Sequence, residues 1–344
     1  MKPGATLSST KVTAGTVKPP LRVGILLARN FTLSAFSLFV DTLRLASDEL
    51  DRSGRKYLDW DVVSDGSQLI PSSSGISVAP TARLNDRKAF DYLVVVGGRL
   101  NVEQPLGDEL VAYLKKAVAL RVPVVGLCTG SFVLAQAGLL AGRTACVSWL
   151  HREEFQQRFP DIELVSHRLF LEDGLITTCA GGTAVADLAA WIVKKHVGVA
   201  AAKNAMEILQ IDRQRKGTDT QARLPLAFEA VKDSRVRLAL LLMEEAVHEK
   251  RDIEDFAHRI GISSRQLERL FKQELNESPV RAYQRMRLVK AKLFVEATDQ
   301  SILQIAIDFG YESNTHFSKM FRSFFGMSPV EARKRAVKAM GEAV

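Results

Sequence analysis

Between residues 21 and about 198, apolar and polar positions alternate in two different rhythms. Short, almost wholly apolar runs occupy residues 23–27, 60–63, 92–96 and 122–127, as strands buried on both faces of a parallel sheet require. Longer stretches with apolar residues at helical spacing, 33–50, 110–120, 132–139 and 184–196, fall after or between them. Residues 168–171 and 175–177, joined by Glu172-Asp173-Gly174, read as a hairpin. Such alternation predicts an α/β domain over residues 21–211, a flavodoxin-like parallel-sheet sandwich closed by a helix near 201–211.

Residues 212–232 open with a polar, charged stretch ending in Pro225 and are expected to be a linker. From 233 to 335 no strand pattern occurs, and an all-α domain is predicted. Residues 1–20 lack an apolar core of signal-peptide length and read as a disordered lead-in. No later run approaches the roughly 18 apolar residues of a membrane span.

The helical part contains a weak repeat. Aligning residues 253–279 with 302–329 pairs Ala257 with Ala306, Gly261 with Gly310, Phe271 with Phe321 and Pro279 with Pro329. A small residue four positions before a glycine is what two helices crossing closely through a tight turn require. Two helix-turn-helix units are therefore expected, at 252–273 and 301–324. After the first turn Leu267, Leu270, Phe271 and Leu275 form an apolar stripe, which turns Arg265, Gln266, Arg269 and Lys272 outward. After the second, Phe317, Met320, Phe321, Phe324 and Phe325 are expected to be buried, with Asn314, His316, Lys319 and Arg322 outward. Residues 280–297, carrying Arg281, Arg285, Arg287, Lys290 and Lys292, form a helical spacer that sets the distance between the units. Such a spacer suits two recognition helices entering successive major-groove segments of double-stranded DNA, about 34 Å apart.

Composition adds little to this picture. With 47% hydrophobic and 25% charged residues the chain is neither disordered nor fibrous. Of its net charge of +8, half lies in residues 232–344, so DNA binding must be argued from placement and not from charge excess. Cys128, Cys146 and Cys179 are too few and too scattered for a disulfide framework or a zinc site. Reduced thiols in the cytoplasm are expected, with no metal and no cofactor.

Residues 234–335 resemble the AraC/XylS family of transcription regulators. The most specific stretch is Gln304-Ile305-Ala306, Gly310-Tyr311, Phe317, Phe321-Arg322, Phe325-Gly326 and Ser328-Pro329. The resemblance implies base contacts from Arg265 and Arg269 and from Asn314, His316 and Lys319. Gln266, Lys272 and Arg322 then suit phosphates. One departure is Asn276, where the family has glycine just past the helix; asparagine tolerates the left-handed conformation needed there.

In the first domain an apolar strand runs into Gly126-x-Cys128-x-Gly130 and then a helix, the pattern of a nucleophile elbow. With the surrounding α/β pattern, residues 21–198 resemble the PfpI-like branch of the class I glutamine amidotransferase-like fold, where such a cysteine works with a histidine and an acid. The histidine's place is taken here by Ser148, and His151 falls in the following helix, a poor substitute. The acid's place, residues 29–35, holds no carboxylate, and Asp41 lies further along in a helix. The expectation is thus not an enzyme, Cys128 having no base to take its proton. The combination resembles regulators of the GlxA type, whose amidotransferase-like domain senses small amines, amino acids or betaines.

That resemblance implies a homodimeric activator working with RNA polymerase and controlled by a small-molecule effector, without a membrane partner. Ligand residues are expected at the elbow, Cys128 and Thr129, and at Gly182, Thr183 and Asp187, where a turn opens the next helix. Two alternatives are a Cys128-dependent amidase or glyoxalase-like enzyme fused to a DNA-binding domain, and a thiol redox sensor.

Overall fold

The computed structural model describes residues 20–47, 52, 54–84, 86, 89–101, 105–221, 228 and 231–341. The proposed lead-in therefore lies outside the described residues, apart from Pro20. The chain divides into two compact units, residues 1–219 and 220–344.

The first unit opens with β1 (Leu21–Leu27), α1 (Leu33–Ser47) and β2 (Leu58–Ser64). Two short pairs of residues follow, β3 (Ile70–Pro71) and β4 (Ser77–Val78), and then β5 (Ala82–Arg83), β6 (Tyr92–Val96), α2 (Asp108–Ala119), β7 (Val124–Leu127) and α3 (Gly130–Gln136). It continues through β8 (Thr144–Cys146), α4 (Arg152–Arg158), β9 (Glu163–Val165), the hairpin β10 (Phe170–Asp173) and β11 (Ile176–Cys179), and α5 (Ala184–His196) and α6 (Val199–Ile208). One seven-stranded sheet has the order β10-β11-β7-β6-β1-β2-β5, parallel except for the hairpin. The apolar runs read from the sequence are its central strands: every residue of β6 and β7 is buried. On one face Phe39, Leu43, Val185, Leu188 and Ile192 cover the sheet, and on the other Leu110, Leu114, Leu134 and Phe155. The strand order reverses direction between β1 and β6, which opens a crevice at their carboxyl ends.

The second unit is helical throughout its described residues: α7 (Ser234–Glu245), α8 (Ile253–Arg259), α9 (Ser264–Leu275), α10 (Pro279–Ala297), α11 (Ile302–Asp308), α12 (Asn314–Phe325) and α13 (Pro329–Gly341). The pairs α8–α9 and α11–α12 are the two helix-turn-helix units. Their buried residues, Phe256, Ala257, Leu267 and Phe271 in one and Ile305, Ala306, Phe317 and Phe321 in the other, join Tyr283, Met286 and Leu288 of α10 in one core. Asn276 takes the left-handed conformation (φ 55°) that ends α9, as its place in the sequence demands.

Two expectations change. Phe324 is 45% exposed: seven residues after Phe317 it shares that residue's side of α12, but it stands in the helix's last turn and stays only partly covered, its ring edge-on to Phe325 at 4.9 Å. Arg287, which the sequence shows only as one of the spacer's cations, is buried. Its Nε donates to the Phe309 carbonyl at 2.9 Å and its Nη2 donates to the same oxygen, while the guanidinium lies 4.8 Å from the Tyr311 ring centre. The spacer helix thereby grips the last turn of α11. Gly310 follows with φ +68°, and a Cβ there would stand 2.6 Å from Arg287 Nη2, so glycine serves both the turn and the close approach.

Other contacts tie the connection between α7 and α8 to α10 and to the second helix-turn-helix. Tyr283 Oη donates to the carbonyls of Ala246 (2.5 Å) and Glu249 (2.8 Å), and burial pushes its phenol up to about 12. The His248 ring packs 4.6 Å from Phe309 with Nδ1 3.1 Å from the Asp308 carbonyl, and Lys250 pairs with Glu312 at 2.7 Å. The exposed Lys250–Glu312 pair adds little stability by itself; the buried contacts set the arrangement. Arg287→Ala is expected to cost about 2–3 kcal/mol, since it orphans the Phe309 carbonyl and empties the aromatic sandwich. Gly310→Ala costs about 1–2 kcal/mol from the left-handed backbone alone. Urea unfolding of the full chain checks both; midpoints equal to that of the wild type would contradict the assignment.

Candidate functional sites: an elbow cleft and a paired helix-turn-helix face

The first site grows out of the parallel sheet. Chains leaving the carboxyl ends of β1, β6 and β7 converge, which brings Thr32, Gly98, Arg99, Cys128 and Thr129 to one cleft of about 510 Å³. Cys128 itself carries a positive φ of 57°, a conformation rare for a residue with a Cβ and imposed by the strand-to-helix turn. Its side chain is half-buried, and Thr32 Oγ1 lies 3.6 Å from Sγ, placed to donate to it. Thr129 Oγ1 donates to the Gly98 carbonyl at 2.6 Å, which locks the β6 and β7 loops together. On the other side Gly181 (φ +96°) presses so close that a Cβ there would lie 3.1 Å from Cys128 Sγ.

Two residues on the far wall change the reading of this site. His151 and Glu154 line the same cleft as Cys128. His151 is carried by the turn that leads into α4, so its sequence position, three residues past the family's histidine, still delivers the ring to the cleft. Burial lowers its pKa, against the opposing pull of Glu154, and favours the neutral imidazole. Phe132 stands edge-on to it at 6.1 Å. Sequence reasoning missed Thr32, Arg99 and Glu154. The first two lie in the loops after β1 and β6, at the topological switch point where ligands bind α/β sheets; nothing in the sequence singled out Glu154.

The expected ligand residues on α5 are arranged differently. Asp187 is fully buried and bound by Arg215, whose Nε and Nη2 lie 3.0 and 2.6 Å from Oδ2 and whose backbone N–H lies 2.6 Å from Oδ1. Thr183 Oγ1 accepts from Arg215 Nη2 at 2.8 Å. The cation that Asp187 faces is thus the protein's own. Gly182, Thr183 and Asp187 are not among the residues lining the Cys128 cleft. The expected linker is also shorter than it read: residues 212–219 belong to the first unit, with the Gly217 and Asp219 carbonyls accepting from Leu169 N–H at 3.0 and 3.1 Å. Cys146 and Cys179 are buried, and burial pushes the Cys179 thiol up to about 12, which keeps it protonated.

The second site is the outer face of α9 and α12. Arg265, Gln266, Arg269 and Lys272 are exposed on α9, and Asn314, His316, Lys319 and Arg322 on α12. Arg265 and Arg269 stand one turn apart and have no hydrogen-bond or ion-pair partner among the described residues. Gln266 is occupied: its Oε1 accepts from Ser263 N–H at 3.1 Å while Gln266 N–H donates to Ser263 Oγ at 3.3 Å, a capping box that starts the helix. Lys272 Nζ donates to the Asn276 carbonyl at 3.3 Å, at the helix end where a cation is favoured. His316 stands edge-on to Tyr311, and Asn314 Oδ1 accepts from Ser318 Oγ at 3.2 Å.

Two family models match the chain: "Helix-turn-helix domain" over residues 256–335 and "DJ-1/PfpI family" over residues 22–195. The HTH-type transcriptional regulator GbdR of Pseudomonas aeruginosa is 32% identical over 316 residues, 92% of this chain and 84% of that protein. The chain belongs to the AraC-type transcriptional regulators that carry a DJ-1/PfpI domain. Within this family, the regulator CdhR of Pseudomonas aeruginosa is 34% identical over 309 residues, 90% of each chain. GlxA of Rhizobium meliloti is 27% identical over 323 residues, 92% of this chain and 96% of that one. The chain is accordingly a DNA-binding transcriptional regulator, and no described helix is long and apolar enough to cross a membrane.

Proposed function

We propose that this regulator is a cytoplasmic, homodimeric activator whose hold on promoter DNA is set by a small amine or amino-acid-like metabolite in the Cys128 cleft, and that it engages RNA polymerase at its promoter. The observation that carries the effector reading is the pairing of opposite charges across the cleft. Glu154, whose Oε1 pairs with Arg158 Nη1 at 3.4 Å, keeps its other carboxylate oxygen for an ammonium, while Arg99 and the backbone N–H groups of the elbow turn offer donors to a carboxylate. A site so lined selects a small zwitterion over a neutral or singly charged molecule of the same size. DNA is read by Arg265 and Arg269 of α9 and by Asn314, His316 and Lys319 of α12, with Lys272 and Arg322 on phosphates. Gln266, held in its capping box, has a structural role.

A second reading, cysteine chemistry in the same cleft, draws on one observation: His151, held neutral by burial, lines the cleft with the Cys128 thiol. In the first reading the thiol is a wall of the binding site and the first domain catalyses nothing.

Fluorescence anisotropy on a DNA fragment that the full chain has selected from a random pool separates these readings. Arg269→Ala is expected to weaken binding by about 1–3 kcal/mol and to relax sequence preference, whereas Lys272→Ala weakens all sequences alike. Gln266→Ala should leave sequence preference unchanged and cost about 1 kcal/mol of helix stability. A panel of small amines and amino acids should contain members that change the affinity of the wild type and of Cys128→Ala but not of Glu154→Gln. No response from any member would remove the effector reading, and turnover of a panel member that vanishes in Cys128→Ala would establish the enzymatic one.

A further inference from the structure

The two threonines of the Cys128 cleft turn their hydroxyl protons toward the protein. Thr32 Oγ1 lies 3.6 Å from Cys128 Sγ and donates to it, and Thr129 Oγ1 donates to the Gly98 carbonyl at 2.6 Å. Both residues line the cleft. A hydroxyl has one proton and two lone pairs. With the proton committed, each of these oxygens meets an occupant of the cleft as a hydrogen-bond acceptor.

The wall formed by the turn into α4 continues this pattern. Glu154 Oε1 pairs with Arg158 Nη1 at 3.4 Å, which leaves Oε2 facing the cleft's contents. The His151 ring is half-buried, and neither of its nitrogens has a hydrogen-bond partner among the described residues. Burial favours its neutral form, in which one ring nitrogen donates and the other accepts. An acceptor shielded from water and left without a donor is costly, so the imidazole calls for a donor from an occupant. The cationic donor of the cleft is Arg99, whose Nη2 reaches the Ser73 carbonyl at 3.5 Å.

An organic cation can meet such acceptors as a charge alone, when it is quaternary, or as a charge that also carries N–H donors. A trimethylammonium group is attracted by Glu154, yet it covers the lone pairs of His151 and the threonines without pairing them. A site built to hydrogen-bond an N–H group rejects the analogue that lacks it, because the site's own polar groups are then left unpaired. Quaternary ammonium groups are recognised instead on the faces of aromatic rings. We propose that the cationic end of the effector is a primary ammonium, and that His151, Glu154, Thr32 and Thr129 select it over a quaternary one by accepting its N–H groups; this rests on the reading of the Cys128 cleft as the effector site. His151 is the discriminating residue. The charge of Glu154 attracts either cation, whereas the imidazole lone pair favours only one that brings a proton to it. The histidine that stands three residues past the family's position thereby acquires a role in recognition.

Calorimetric titration of the full chain at neutral pH tests this, with each primary amine and amino acid of the panel set beside its own N,N,N-trimethyl counterpart. Members that bind are expected to do so at least about tenfold more tightly than their trimethyl counterparts. In His151→Leu that ratio should fall by at least about threefold, through weaker binding of the primary form and not tighter binding of the trimethyl form. His151→Asn, whose amide oxygen still accepts, should keep the wild-type ratio. Trimethyl counterparts that bind the wild type as tightly as the primary forms, or more tightly, would overturn the proposal and leave the effector reading standing. An unchanged ratio in His151→Leu would overturn the part assigned to His151. If no member of the panel binds in either form, the effector reading falls and this proposal falls with it.

Discussion

The second unit depends on a guanidinium that left water. Arg287 projects from the middle of the long helix α10 into a pocket closed by Tyr283, Tyr311 and the Phe309 carbonyl. A buried cation is costly unless it is hydrogen-bonded, and it lowers that cost only in the one arrangement that brings the end of α11 to α10. Around it, a single core contributed by both helix-turn-helix units leaves them no independent freedom. The distance between α9 and α12 is then a property of one rigid body. A regulator that must match the pitch of DNA requires this, since an error of a few ångströms between recognition helices would forfeit one of the two grooves.

The first unit solves a different problem with equally local means. A parallel sheet collects the carboxyl ends of its strands at one rim, and the reversal of strand order there leaves a crevice that the loops line. Into it the fold delivers a half-buried thiol on a strained turn, a neutral histidine, a carboxylate and a guanidinium. These groups come from three separate segments, at Arg99, at Cys128 and at His151 with Glu154. Their juxtaposition is a consequence of topology, and it suits recognition of a small polar molecule whether or not bonds are made to it.

What could be read in the sequence follows from the range of the physics involved. The central strands were legible because burial on both faces demands unbroken apolar runs, and both helix-turn-helix units because a tight interhelical turn demands Ala257-to-Gly261 and Ala306-to-Gly310 spacing. Asn276 could be placed because its backbone requirement is local. Arg287 could not, since a cation in a basic helix looks solvated until its acceptor, twenty-two residues away in sequence, is brought under it. Asp187 misled for the mirror-image reason: its partner Arg215 lies in a stretch whose polarity reads as linker. His151 was discounted on register, whereas the turn before α4 compensates for its offset. Phe324 was assigned to the buried face by counting apolar residues, in a helix with more of them than its seam can cover.

The central claim is that two recognition helices, fixed by one core, read one face of the double helix. Hydroxyl-radical footprinting of the full chain on its selected DNA tests this most directly. The account predicts that each DNA-binding unit protects two stretches whose centres are about 10 base pairs apart on the same face, and that Arg269→Ala erases one stretch while leaving the other. A single protected stretch per unit, or two stretches on opposite faces, would contradict it.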